Sequence, residues 1–201
     1  MKTIDNFNIK GKIVLMRVDL NVPVVNGVIT EKSRIHLIKS SIKKLIEQEN
    51  KIFLISHFGR PKGKYNKKYS LKFVCPTLIE ELGIQSIKFI SSLNNDEIEH
   101  VTKKMNFGEV CLFENIRFYE GEEKNDLFFI KELSKNFDVY VNDAFSASHR
   151  QHASIVGITK YLPAIAGDGL LEEIKNMNSF IDNPKKPVMA IVGGAKISTK
   201  I

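Results

Sequence analysis

Apolar residues in this chain fall into short continuous runs that alternate with stretches of helical spacing. Ile13, Val14, Leu15 and Met16 form a partly β-branched run suited to a strand buried on both faces. Residues 51–57 (KIFLISH), 87–90 (IKFI), 109–113 (EVCLF) and 138–142 (DVYVN) have the same character. Between the first two runs, Ile35, Ile38, Ile42, Leu45 and Ile46 recur at the steps of one helix face, with Ser33 placed to cap it. Residues 70–82 read as a second helix that Pro76 kinks or delays. Residues 94–97 have the form of a capping box before a helix to about Lys104. A further helix over 122–136 puts Leu127, Ile130 and Leu133 on one side, and Asn26-Gly27 marks the turn of a small hairpin. Strands that alternate with helices predict a doubly wound parallel sheet, an α/β fold of Rossmann-like type.

The pattern shifts near Asp168. Leu170, Leu171, Ile174, Met177 and Ile181 fit a long amphipathic helix that stops before Pro184. Residues 187–192 then begin a new apolar strand, followed by a glycine turn and by Lys196 and Lys200. The expected organisation is a domain over 1–167, an interdomain helix and linker over 168–186, and the truncated start of a second α/β domain over 187–201. One strand and half a helix cannot bury a core, so the chain reads as cut short.

The polar residues gather where the apolar runs stop. The first strand ends in Arg17, Asp19 and Asn21, which strict alternation would point the same way. The second ends in His57 and Arg60, the fourth in Asn115 and Arg117, and the last in Asp143, His149 and Arg150. Carboxyl ends of parallel strands share one edge of a sheet, and ligands of open α/β sheets bind there. Four or five positive groups beside Asp19 and Asn21 call for an anion that also carries a hydroxyl, such as a small phosphorylated hydroxy acid. Arg34, in the first turn of its helix, can reach back toward the same edge.

Composition narrows the picture. The net charge is +7 with 30 basic residues, but only Arg17, Arg34, Arg60, Arg117 and Arg150 are arginines. Lysines spread over helix faces and loops are solvated, whereas arginine's fixed fork suits bidentate binding of carboxylate or phosphate. The one dense basic run, 62–68, has two tyrosines beside it, too little to favour nucleic acid. No run of 18 apolar residues is present, so no membrane span is expected. Cys75 and Cys111 sit in apolar contexts without zinc spacing, and read as reduced core thiols of a cytoplasmic protein. His149 and His152 have no third partner for a metal and are read as positional hydrogen-bonding groups. The segment GGAKISTK lacks the spacing of a P-loop.

Five segments taken together resemble the phosphoglycerate kinase family: RVDLNVP (17–23), ISHFGRPKG (55–63), LFENIRF (112–118), NDAFSASHRQHAS (142–154) and IVGGAKISTK (191–200). They fall in family order and cover the chain. The resemblance implies a monomeric, two-domain, hinge-bending glycolytic enzyme. It would move phosphate between 1,3-bisphosphoglycerate and Mg-ADP, giving 3-phosphoglycerate and ATP. It implies that Asp19, Leu20, Asn21 and Arg34 meet the glycerate end, and that His57, Phe58, Gly59, Arg60, Arg117 and Arg150 line the phosphate end. Lys196 and Lys200 would meet the nucleotide, and Arg34 with Lys196 would neutralise the group in transfer. Arg17 is expected to orient rather than touch. Leu20 and Phe58 stand where the family usually has phenylalanine and leucine. Family members are about twice as long, so the magnesium ligand is expected outside this chain and the 201 residues alone are expected to be inactive. A non-catalytic anion-binding module and a nucleic-acid-binding protein are the alternative readings.

Overall fold

The computed structural model describes residues 1–182, 184 and 186–189. Six strands form one wholly parallel sheet: β1 (Ile13–Val18), β4 (Lys51–Ile55), β5 (Ile87–Ile90), β6 (Val110–Phe113), β7 (Val139–Asp143) and β8 (Ala164–Ala166), in the order β5-β6-β4-β1-β7-β8. The hairpin β2 (Val24–Val25) and β3 (Val28–Ile29) stands apart, with Asn26 and Gly27 both at positive φ as a tight turn requires. β8 has no counterpart in the sequence reading, because three small or apolar residues after Pro163 carry too little pattern to mark a strand.

Side chains leave the sheet on two faces, and each face has its own core. Val14, Met16 and Val18 pack with Ile35, Ile38 and Ile42 of α1 (Ser33–Glu47) and with Leu78 and Leu82 of α2 (Cys75–Leu82). Leu15, Phe53 and Phe113 pack on the other face with Ile98 of α3 (Asn95–Lys104) and with Ile130 and Leu133 of α5 (Leu127–Ser134). Helices on both faces of a parallel sheet make the fold doubly wound. The order reverses at β1, with β4 on one side and β7 on the other, so a crevice opens beyond their carboxyl ends.

Four expectations need correction. Ser33 does not cap α1: the residue before the helix is Lys32, and the Glu31 carboxylate accepts the Ser33 N–H and hydroxyl instead. The helix expected over 70–82 begins only at Cys75, after a separate 3-10 turn at Lys72–Val74. Pro76 delays its start, one of the two effects expected of it, and sits in the first turn of α2, where its missing N–H costs nothing. The helix expected over 122–136 is two pieces, the short α4 (Glu120–Glu123) and α5. Asn125 at positive φ breaks it, and the Asp126 side chain caps α5 by accepting from Phe128 and Phe129. The alternation through Arg17, Asp19 and Asn21 also fails, since β1 ends at Val18 and the backbone turns. Arg17 lies on the Leu15 side, while Asp19 reaches α1 on the opposite side.

The last helix is α6 (Asp168–Asp182), where the change of pattern placed one. The strand expected from residue 187 falls largely outside the described residues, as do Lys196 and Lys200. Among the described residues no helix is long and apolar enough to cross a membrane.

Candidate functional site

Two sub-sites flank the carboxyl end of β1. The first is built on Asp19. Its buried carboxylate accepts from Arg34 at the start of α1, from the Ser146 hydroxyl beyond β7, and from Asn21 N at 2.9 Å. Asn21 in turn accepts from Gly59 N at 2.9 Å, so its side-chain carbonyl pins the loop that follows β4. A cavity of about 220 Å³ opens beside this group, lined by Asp19, Arg34, Asp143, Ser146 and Gly169 among others. The side of Arg34 that Asp19 does not hold remains partly exposed.

The second sub-site gathers cations. Arg17 is fully buried and donates to Ser154 Oγ at 3.1 Å, to the Val18 carbonyl, and to His57 Nδ1 at 3.0 Å. Arg117, also buried, donates to the Gly59 carbonyl at 2.8 Å, with Glu123 beside its Nε at 3.3 Å. The charges of Arg17, Arg117 and Arg150 all act on His57. Burial first, and then these guanidiniums, push the His57 pKa down to about 2. His57 is therefore neutral at physiological pH, which corrects its place among the positive groups. With Nδ1 accepting from Arg17, the ring presents Nε2–H as a donor.

Behind the cations lies a carboxylate that the sequence reading missed. Glu122 of α4 is wholly buried and accepts from Ser154 Oγ at 2.7 Å and Ser154 N at 2.9 Å, with His152 Nδ1 at 3.6 Å. Burial works against its charge, yet His152, Arg17 and Ser154 together hold its carboxyl below the usual range. In sequence it is one of several acidic residues in EGEEKND, a stretch that reads as a solvated surface, so nothing marked it.

The other expected site residues divide clearly. Leu20 is fully buried in the core and its N–H is taken by Ser56 Oγ at 2.9 Å, so its side chain faces no cleft. Phe58 is half-buried and packs edge-on against Phe73 with ring centres 5.1 Å apart. Gly59 has positive φ, and a side chain there would strike the Tyr69 ring. Arg60 is exposed, and no hydrogen bond or ion pair ties it to the cluster among the described residues. Asn115 is buried and holds two loops together, donating to the Phe58 and Tyr69 carbonyls at 2.7 and 2.9 Å. Cys75 and Cys111 are free thiols that burial makes harder to ionise. No group of three or more metal-ligating side chains gathers among the described residues.

Such a site suits a ligand anionic at one end and hydrogen-bonding at the other. Arginines and a neutral donor histidine stand on one side of β1, and a carboxylate-held arginine on the other. A family profile described as phosphoglycerate kinase matches residues 4–201. The chain is 48% identical to phosphoglycerate kinase of Sinorhizobium fredii across its whole length, which is 50% of that protein. It is 46% identical to the enzyme of Borreliella burgdorferi, covering 51% of it. The solved phosphoglycerate kinase of Pyrococcus horikoshii superposes with a TM-score of 0.86 at 31% identity, over 98% of this chain and 50% of that one. The Coxiella burnetii structure gives 0.81 at 37% identity, over 98% and 49%. The chain thus spans about half the length of the relatives it matches.

Proposed function

The chain belongs to the phosphoglycerate kinase family, and we propose that its 201 residues form the acid-binding half of that enzyme. The ligand is 3-phosphoglycerate or 1,3-bisphosphoglycerate, with the phosphate on carbon 3 beside His57, Arg117 and Arg150, and Arg60 closing over it. The glycerate end lies by Asp19, Asn21 and Arg34. Gly59 and Phe58 shape the loop between the two ends, and Leu20 anchors the end of β1 through its N–H on Ser56 Oγ rather than meeting the ligand. The observation that carries this reading is the convergence of Arg117 and Arg150 on a neutral His57 beside the end of β1.

The reaction is phosphoryl exchange with Mg-ADP or Mg-ATP. A carboxylate is the acceptor when ATP is the donor, so no general base is needed. Catalysis rests on alignment and on neutralising the charge of the moving phosphoryl group. Arg34 is the candidate for that task among the described residues, with Lys196, which lies outside them, as the second, while Lys200 meets the nucleotide phosphates. The metal travels with the nucleotide and its protein ligand is assigned to no residue here. The domain limits proposed are 1–167 for the acid-binding unit, 168–186 for the connecting helix and 187–201 for the start of the nucleotide unit. A monomer acting in the cytoplasm, without nucleic acid as partner, completes the proposal.

Titration calorimetry of the 201-residue chain tests it. Binding of 3-phosphoglycerate, with much weaker binding of glycerate and of duplex DNA, supports the reading. Equal affinity for phosphate-bearing ligands of any kind, with the steep salt dependence of counterion release, would replace it with a general polyanion site.

A further inference from the structure

Behind the cation sub-site runs an unbroken hydrogen-bonded relay that reaches no solvent until its last member. Glu122 takes both the hydroxyl and the N–H of Ser154, at 2.7 and 2.9 Å. Ser154 Oγ, having donated its one proton to Glu122, can only accept from Arg17 Nε, at 3.1 Å. Arg17 Nη2 then donates to His57 Nδ1 at 3.0 Å. Each direction follows from the one before. The carboxylate sets the hydroxyl, the hydroxyl receives the guanidinium, and the guanidinium leaves His57 a single neutral form with its proton on Nε2.

We infer that Glu122 is a positioning residue for the anion site, fixing through Ser154 and Arg17 the His57 tautomer that donates to a bound phosphate. The inference rests on the acid-binding reading for the identity of the ligand, and on the geometry alone for the relay. Two physical arguments support it. A wholly buried carboxylate two residues from the surface loop at 124–126 is costly unless it is paired, and among the described residues it is paired only with members of this relay and with His152. Arg17, likewise buried, has no carboxylate within ion-pairing distance among the described residues, so Glu122 balances its charge through the intervening serine. A hydrophobic pair of the same size would serve packing as well. It would leave the Arg17 fork and the His57 ring free to turn.

The groups facing His57 are Arg17 from β1, Arg117 beyond β6, and Arg150 and His152 beyond β7. None of these except Arg17 has a hydrogen bond to its Nδ1. Glu122→Gln keeps the size of the side chain but removes its charge, and Ser154→Ala cuts the relay while leaving the carboxylate.

The test is nitrogen-15 NMR of the His57 ring in the 201-residue chain, without ligand, in the unaltered protein and in both variants. Calorimetry with 3-phosphoglycerate accompanies it. The unaltered protein is expected to show the Nε2–H form alone at pH 7. Each variant is expected to show a mixed tautomer signal and affinity lowered by about tenfold, the lower end of what losing the orienting partner of a metal-bound histidine costs. The double variant is expected to lose no more than either single one, because the two residues act in series. Unchanged ring signals in Ser154→Ala overturn the inference, even if Glu122→Gln fails to fold. If the unaltered protein does not bind 3-phosphoglycerate, the proposed function fails, while the ring signals still decide the relay.

Discussion

Asp143 at the end of β7 accepts from Leu170 N at 2.7 Å, so a single carboxylate joins the central sheet to the first turn of α6. The approach is close. Gly167 and Gly169 flank the contact, and a methyl at Gly167 would overlap the Asp143 carboxyl group. Burial pushes Asp143 up to about 6, against the hydrogen bonds that favour its ionised form, and its Oδ2 has no hydrogen-bond partner among the described residues. The junction between β7 and α6 is thus built on a carboxyl group that takes up its proton closer to neutrality than a free carboxylate does.

The sign of the resulting pH effect is definite. The folded pKa lies above the ordinary value of 3.8, so the folded state holds the proton more tightly. The stabilising contribution is fully present below pH 3.8 and is lost as pH rises through about 6. Asp143→Asn, neutral at every pH, should match the unaltered protein at pH 4 and exceed it at pH 8 by about 1–3 kcal/mol in urea unfolding. A variant less stable at both values would show that the ionised carboxylate is needed at the helix end.

Gly167→Ala should cost about 2 kcal/mol or more, since the colliding group is the buried, hydrogen-bonded carboxyl of Asp143 rather than a mobile chain end. Thermal unfolding checks this. The double variant Gly167→Ala with Asp143→Ala should recover part of the loss by vacating the same space.

His57 gives the opposite pH slope. Its folded pKa is depressed to about 2, so between that value and 6.5 the unfolded chain takes up a proton that the folded chain refuses. Stability is therefore constant above pH 6.5 and falls as pH drops below it. His57→Gln keeps a donor and cannot titrate. It should show less acid destabilisation than the unaltered protein, by about 1–3 kcal/mol at pH 4 in denaturant curves. Parallel curves for the two proteins would mean that the ring is free to protonate in place.

Arg34 separates a binding role from a structural one. Its ion pair with Asp19 is partly exposed and screened by water, so losing it should move the melting temperature little. Arg34→Ala should nonetheless lower affinity for 3-phosphoglycerate by about tenfold or more, as expected for loss of a charge-assisted contact. A large fall in melting temperature with unchanged affinity would make the pair a structural clasp.

Much of this architecture was legible because it depends on local repetition. The apolar runs at 13–16, 51–57, 87–90, 109–113 and 138–142 hold five of the six parallel strands, with 87–90 at the half-buried edge, and the stripe from Ile35 to Leu45 became the inner face of α1. Parallel strands bring their carboxyl ends to one edge, and Arg17, Arg117 and Arg150 all act on His57 there, whereas Arg60 stands exposed and Arg34 is held by Asp19 on the other side of β1. What escaped depended on long-range pairing or on backbone turns. β8 is recognisable only by its ladder with β7, and the break between α4 and α5 follows from the positive φ of Asn125. Glu122 was invisible because its burial is imposed by Ser154 and Arg17, 32 residues later and far earlier in the chain. The charge of His57 was misjudged for the same reason: a histidine's pKa is set by neighbours that sequence spacing does not reveal.

On this reading one small acid spans both sub-sites, from Asp19 and Arg34 to His57, Arg117 and Arg150. Amide chemical-shift mapping of the 201-residue chain with 3-phosphoglycerate tests it most directly. Asn21, Arg34, His57, Gly59, Arg117 and Arg150 are expected to shift together and saturate along a single binding curve. Shifts confined to the lysine-rich loop 62–68, or separate curves for the two sub-sites, would contradict it.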